Sequence, residues 1–169
     1  MKYRVEHEFP CDEQTLIRTL FDRRIVERLL PRLTLIQEAE TLEWSEQNGT
    51  IRRRVRYRPV PAIRSVGPKK VEPRWMEWVE ESEVDLATGV VRYRNTPTTH
   101  GVAQLLKNHG EMRITGRAGG ACRREILGEL RVEVFVLGAI AERLIYSYAK
   151  QILDEEAREV AALIRERNP

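Results

Sequence analysis

Alternating segments that carry one polar residue among apolar ones are where this sequence places chemistry. From Thr50 to Arg58, Ile51, Arg53, Val55 and Tyr57 share one parity, so Arg53 is a lone charge on an apolar face. From Arg74 to Leu86, Glu80 and Ser82 fall in phase with Met76, Trp78, Val84 and Leu86. Asn95 shares a face with Val91 and Tyr93. A charge inside a domain is tolerated only when paired and hydrogen-bonded. If the three segments are neighbouring strands, Arg53 and Glu80 meet inside a cavity with Ser82 and Asn95 close by. Such a set would orient a mostly apolar ligand. The competing readings are a buried ion pair of purely structural use, or a bulge that turns both charges outward. Glu80 alone in a pocket could also act as a general base, with Tyr57 or Tyr93 as proton donors.

Other candidates are bland by comparison. Arg52, Arg54, Arg56 and Arg58 form the opposite face of the first of these strands and raise the question of nucleic acid. The next strand answers them with Glu77, Glu81, Glu83 and Asp85, and the strand after it shows Arg92 and Arg94. The expected result is a solvated face of alternating charge ladders, not a phosphate-binding surface. His7 falls on the inward face of the first strand and reads as a satisfied core histidine. His100 and His109 are isolated, and no ligand-type spacing accompanies them. No nucleophile elbow, glycine-rich phosphate loop or HExxH motif occurs, so neither metal nor cofactor is expected. Cys11 and Cys122 are far apart and read as idle thiols in preference to a disulfide.

The whole chain has 169 residues, with 29 Lys and Arg against 26 Asp and Glu and a net charge of +3. That size suits one domain spanning 1–169, and so small a charge excess does not by itself imply a polyanionic partner. The N-terminus alternates charged and apolar residues with no apolar run behind it, so no secretory signal is expected. No stretch of about 18 uncharged apolar residues exists, so no stable membrane insertion is expected and the cytoplasm is the default location.

Periodicity supplies the scaffold for these side chains. Lys2 to Phe9 is a half-buried strand with Tyr3, Val5, His7 and Phe9 inward. Pro10 ends it, Asp12 can cap a helix beginning at Glu13, and Glu13 to Leu30 gives two short helices or one bent helix. Leu33 to Trp44 is a strand of mixed parity. Asn48-Gly49 is a hairpin turn. Residues 59–73 hold four prolines and Gly67 and read as a connector. Residues 96–109 read as a second connector with one helical turn at Val102 to Lys107. Glu111 to Arg117 and Arg123 to Val136 are strands joined at Gly119-Gly120. From about Gly138 to Arg167 a helix some 45 Å long carries Ile140, Leu144, Tyr148 and Ile152 at four-residue spacing, and Pro169 stops it. Ala141, Ile145, Ala149, Leu153, Ala157, Val160 and Ile164 widen the stripe. The fold class is α+β: a curved antiparallel sheet of about seven strands wrapped on a long C-terminal helix. Trp78, Phe135 and Tyr148 are large enough to fill the space beneath that helix.

This element order resembles the helix-grip fold of the START and polyketide-cyclase superfamily, which includes the birch-pollen-allergen proteins, and is most similar to a bacterial START-like family of unknown function. The carrying segments are Val132-Glu133-Val134-Phe135-Val136-Leu137-Gly138, running into a helix with Glu142, and Arg74-Trp75-Met76-Glu77-Trp78 after the proline-rich connector. The resemblance implies an internal pocket for a hydrophobic or amphipathic small molecule such as a lipid or polyketide. It carries over no catalytic residue. The function expected is therefore non-covalent binding by a carrier or sensor. Its ligand-binding residues would be Arg53, Tyr57, Trp78, Glu80, Ser82, Tyr93, Asn95, Leu144 and Tyr148. A cyclase or aromatase using the same pocket, and a ligand-free interaction module with a filled core, are the alternatives.

Overall fold

The computed structural model describes residues 1–167. In chain order it contains β1 (Lys2–Phe9), α1 (Glu13–Leu20), α2 (Ile25–Leu29), β2 (Ile36–Gln47), β3 (Thr50–Pro59), β4 (Ser65–Val66), β5 (Lys69–Lys70), β6 (Trp78–Asp85), β7 (Val90–Pro97), α3 (His100–Leu105), β8 (Leu106–Gly116), β9 (Cys122–Val132) and α4 (Gly138–Arg167). Seven strands form one antiparallel sheet in the order β1-β9-β8-β7-β6-β3-β2, and β4 pairs with β5 in a small separate hairpin. Asp12 caps α1: its carboxylate accepts from Thr15 N at 2.9 Å.

Strand register turns the sequence alternation into rows across the inner face. An apolar row runs Val5, Ile126, Met112, Val91, Val84, Ile51. The next row runs Tyr3, Gly128, Gly110, Tyr93, Ser82, Arg53, Trp44 from one edge of the sheet to the other. Beyond it lie Leu130, Asn108, Asn95, Glu80 and Val55. The two glycines in the middle of the second row are required by packing. A Cβ on Gly128 would stand 2.3 Å from Tyr3 Cζ, and one on Gly110 would stand 2.6 Å from the Tyr93 hydroxyl. The tyrosine rings therefore lie flat over bare backbone.

The outer face is the expected charge ladder, with one addition. Arg54 reaches Glu43 on β2 as well as Glu81 on β6, and Arg58 reaches both Glu38 and Glu77. The carboxylates of β2 were hidden by its irregular alternation, which two register shifts, at Ile36/Glu38 and Thr41/Glu43, explain. Such exposed pairs contribute ~0–1 kcal/mol each.

Several boundaries differ from the sequence reading. The 59–73 connector contains the β4–β5 hairpin. β6 starts at Trp78 because Pro73–Met76 forms a 3-10 turn, which proline favours at its first positions. The second connector is shorter than expected. α3 lies at 100–105, and β8 begins at Leu106, since Lys107, Asn108 and His109 pair with Arg131, Leu130 and Glu129. β9 ends at Val132, four residues early. The chain leaves the sheet there, and Val136 takes a positive φ of 67°. Phe135 is 95% exposed and fills no space under α4. Ile140 and Leu144 are 49% and 40% exposed, so the buried stripe of α4 is rotated toward Ala141, Tyr148, Ala157, Val160 and Ile164. Pro169 lies outside the described residues.

Both cysteines are free, buried thiols. Burial and the neighbouring Cys11 thiol push Cys122 up to about 12.

α4 meets the sheet unevenly. Its C-terminal half, with Val160, Leu163 and Ile164, packs on Leu16, Ile17, Phe21 and Ile25 of the α1–α2 region in the main apolar core. Its N-terminal half stands off the middle of the sheet and meets it at the β1 edge, where the Tyr146 and Tyr3 ring centres are 5.4 Å apart. α4 is tied to the segments flanking the β2–β3 hairpin by two clamps, at Glu155 and Tyr148. Glu155 accepts from Thr34 N at 2.8 Å and Leu35 N at 3.0 Å, and the Tyr148 hydroxyl donates to Val60 O at 2.6 Å.

Candidate functional site

Beneath the N-terminal half of α4 lies a cavity of about 600 Å³. Ile126 and Met112 form part of its floor, Ile145, Ala149 and Leu153 part of its roof, and Val71, Trp75 and Leu105 part of its mouth. All five tyrosines of the chain line it, with two of the three tryptophans and none of the phenylalanines. Its walls are therefore apolar in bulk but edged with hydroxyls and an indole N–H, the composition of a pocket that both buries and orients a ligand.

Arg53 and Glu80 meet inside it. Arg53 Nη2 donates to Glu80 Oε1 at 3.0 Å, and the two side chains are only 12% and 23% exposed. Arg53 Nε donates to Ser82 Oγ at 3.1 Å, and Nη1 donates to Leu20 O at 2.6 Å, a last-turn carbonyl of α1. Its guanidinium also lies 4.6 Å from the centre of the Phe21 ring. Burial, the largest single influence, would lower the Arg53 pKa, but the Glu80 charge and hydrogen bond together with the nearby Tyr57 and Glu156 oxygens outweigh it, and the group lies above its ordinary value. Ser82 Oγ donates to Glu80 Oε1 at 3.1 Å. The second carboxylate oxygen, Oε2, has no partner among the described residues and remains available to a donor in the cavity.

The other expected residues divide clearly. Tyr57 stacks on Trp78 with ring centres 5.3 Å apart, and its hydroxyl has no hydrogen bond among the described residues. Burial first, then the Glu80 charge, raises its pKa, so it stays a neutral donor. The Tyr93 hydroxyl shares a 2.8 Å hydrogen bond with that of Tyr3, and burial raises both phenols. Asn95 donates to Asn108 Oδ1 at 3.1 Å, while its own Oδ1 is buried without a partner among the described residues. Tyr148 lines the cavity but spends its hydroxyl on the Val60 carbonyl. Ser82 is buried behind the ion pair and does not line the cavity. Leu144 does not line it either, because it faces away from the sheet.

Sequence reasoning missed Tyr3, Asn108, Tyr146, Trp75 and Glu156 as lining residues. Tyr3 is on the inward parity of β1, and only its distance along the chain hid its meeting with Tyr93. Asn108 was lost with the start of β8. A further missed group is Arg124, in phase with Ile126 and fully buried. It donates to Glu156 Oε2 at 2.7 Å and to His7 Nδ1 at 3.2 Å. His7 is thereby fixed with its proton on Nε2, which donates to Asp154 at 3.0 Å. Burial and the Arg124 charge lower the His7 pKa.

Residues 4–164 match the family described as Protein of unknown function (DUF2505). The chain belongs to that family. No curated protein matches the sequence. Solved structures share its fold over nearly the full length. TTHA0849 from Thermus thermophilus superposes with a TM-score of 0.70 at 17% identity, covering 100% of both chains. The Zhui aromatase/cyclase from Streptomyces sp. R1128 gives 0.64 at 15% identity, covering 100% of this chain and 97% of the other. Norcoclaurine synthase from Thalictrum flavum gives 0.70 at 13%, covering 98% and 87%. At such identities the likeness establishes the fold alone: the DUF2505 chain has the START-like helix-grip fold.

Proposed function

We propose that this chain binds a hydrophobic or amphipathic small molecule, non-covalently, in the cavity between the sheet and α4. The observation that carries this reading is the buried Arg53–Glu80 pair opening onto about 600 Å³ of mostly apolar space. A pair of purely structural use would gain nothing from leaving Glu80 Oε2 and the Tyr57 hydroxyl unbonded beside empty volume. They offer a ligand one acceptor and one donor, while stacked Tyr57 and Trp78 offer a flat apolar wall. The ligand class that fits is an apolar body, planar or acyl, with a hydroxyl or carbonyl head. This is the arrangement of a carrier or sensor.

Native mass spectrometry of the protein purified from its own source, with no ligand added, tests the reading. The expected spectrum contains a bound non-protein mass that the Tyr57→Phe and Arg53→Met variants retain less well. A spectrum of bare protein, with no binding of anilinonaphthalene sulfonate to the cavity, would overturn it.

A second reading, cyclase or aromatase chemistry, draws on the same free groups. Glu80 Oε2 would remove a proton from a ligand carbon and Tyr57 would protonate the carbonyl oxygen. The aromatase/cyclase among the structural neighbours favours it only by analogy of fold. Incubation with a linear poly-β-ketone thioester separates the two: the enzyme makes a cyclic product that Glu80→Gln abolishes, and the carrier makes none.

A further inference from the structure

The cavity mouth is edged by a surface that the binding reading does not use. The loop between β9 and α4 carries Phe135 and Val136, 95% and 76% exposed, and Ile140 and Leu144 continue the apolar ridge along the first turns of α4. Leu105, 42% exposed, adjoins it, because its carbonyl accepts from Glu133 N at 2.8 Å. This ridge is held in shape. Val136 sits at φ 67°, a conformation that costs a β-branched residue free energy. Glu142 accepts from Val132 N at 3.0 Å across the loop. The same loop turns Val134 and Leu137 inward to line the mouth.

Cations flank the ridge. The β4–β5 hairpin abuts it, since a Cβ on Gly67 would meet the Leu137 side chain at 3.2 Å. Arg64 and Lys70, at either end of that hairpin, are exposed, as is Arg143 beside Leu144, and none has an ion pair among the described residues. Lys107 and Arg131 share one carboxylate, Glu133. An apolar tip flanked by a net excess of positive charge matches the interfacial region of an anionic bilayer, whose acyl boundary takes the tip and whose phosphates take the cations. A protein partner fits less well. Stable protein interfaces bury roughly 800 Å² a side around a desolvated core, whereas this ridge is narrow and has charges immediately beside it.

We infer that the 133–144 segment and the 64–70 hairpin dock the cavity mouth reversibly on an anionic lipid surface. Docking there places the opening against the bilayer, so an apolar ligand passes between membrane and cavity without crossing water; this last step rests on the binding reading, while the docking itself does not. No helix among the described residues is long and apolar enough to cross a membrane, so the contact is peripheral.

Cosedimentation of the full chain with extruded vesicles tests this, independently of any ligand. Vesicles of phosphatidylcholine with phosphatidylglycerol as roughly a third of the lipid bind the protein at low salt; pure phosphatidylcholine vesicles bind it far less, and raised salt releases it. Phe135→Ser weakens binding about tenfold or more, since the side chain would be buried only in lipid. Arg143→Glu, and separately Lys70→Glu, weaken it by about fivefold or more. Phe135 touches almost nothing in the folded chain, so its variant keeps the parent melting temperature. Equal binding by Phe135→Ser, or no binding to either vesicle, overturns the inference. So does a concentration-dependent dimer, seen by analytical ultracentrifugation, that Phe135→Ser dissolves, for then the ridge is a protein interface.

Discussion

The two ends of the grip are built from the same strands and the same helix, yet they behave oppositely. At the closed end, Leu16, Ile17, Phe21, Ile51, Val84 and Ile164 interlock with Val160 of α4 and leave no room. At the open end the next rows of the same sheet present Tyr93, Arg53, Asn95 and Glu80, and α4 stands off them. Moving two residues along each strand exchanges methyl groups for hydrogen-bonding ones. The closed end supplies the folding free energy, and the open end can then hold a cavity, because a small part of the molecule's packing is enough to leave one.

A truncation at each end should therefore have a different signature. The largest effect belongs to Leu16→Ala, which is expected to cost ~3–5 kcal/mol in chemical denaturation while the folded protein still binds anilinonaphthalene sulfonate normally. A comparable loss of binding in the folded variant would show the ends are not separable. Next comes Arg53→Met, at about 2–3 kcal/mol, because it strands the Glu80 charge. The double variant Arg53→Met with Glu80→Leu should recover much of that stability but not the ligand affinity. Were the double variant to bind as well as the parent, the pair would be structural only. Smaller again is Tyr57→Phe: about threefold to tenfold weaker binding by fluorescence titration, at unchanged stability, because the lost hydroxyl has no protein partner.

The smallest effect is a pH dependence at the β1 edge. The folded-state pKa of His7 lies below its ordinary value, so the unfolded chain takes up a proton first as pH falls through about 6.5. The stability held by neutral His7 is complete above that point and is lost as pH falls through the folded pKa. Melting temperature should decline from about pH 7 to pH 5, and His7→Gln should flatten that part of the curve. An unchanged slope in the variant would assign the decline to other groups.

Much of the architecture was readable from alternation. The inward parity of Ile51, Arg53, Val55 and Tyr57, and of Trp78, Glu80, Ser82 and Val84, survives intact in the structure. That is why Arg53 and Glu80 could be paired in advance: a period of two leaves only two faces, and a lone charge on the apolar one needs a partner. The failures occur where alternation carries no such information. Asn108 and His109 read as the end of a connector, yet they belong to β8, and Gly110 after them leaves room for the Leu127 carbonyl and the Tyr93 hydroxyl. Arg124 is in phase with Ile126, yet nothing nearby in sequence announced Glu156 and His7 as its partners. Val134 and Val136 continue the parity of β9 after the strand has ended.

Local pattern was thus enough to place these side chains on one parity of β3, β6 and β7, to offer Arg53 and Glu80 as an inward pair with an outward bulge as the alternative, and to require a long helix over them. These follow from short-range periodicity and the cost of burying an unpaired charge. The assembled fold was needed for the remainder. It set which turn of α4 packs and which stands clear, so that Tyr148 reaches a carbonyl while Leu144 faces solvent. It also brought Tyr3 onto Tyr93 across two glycines. Helix rotation and strand order depend on the summed packing of distant segments, which no short window of residues contains.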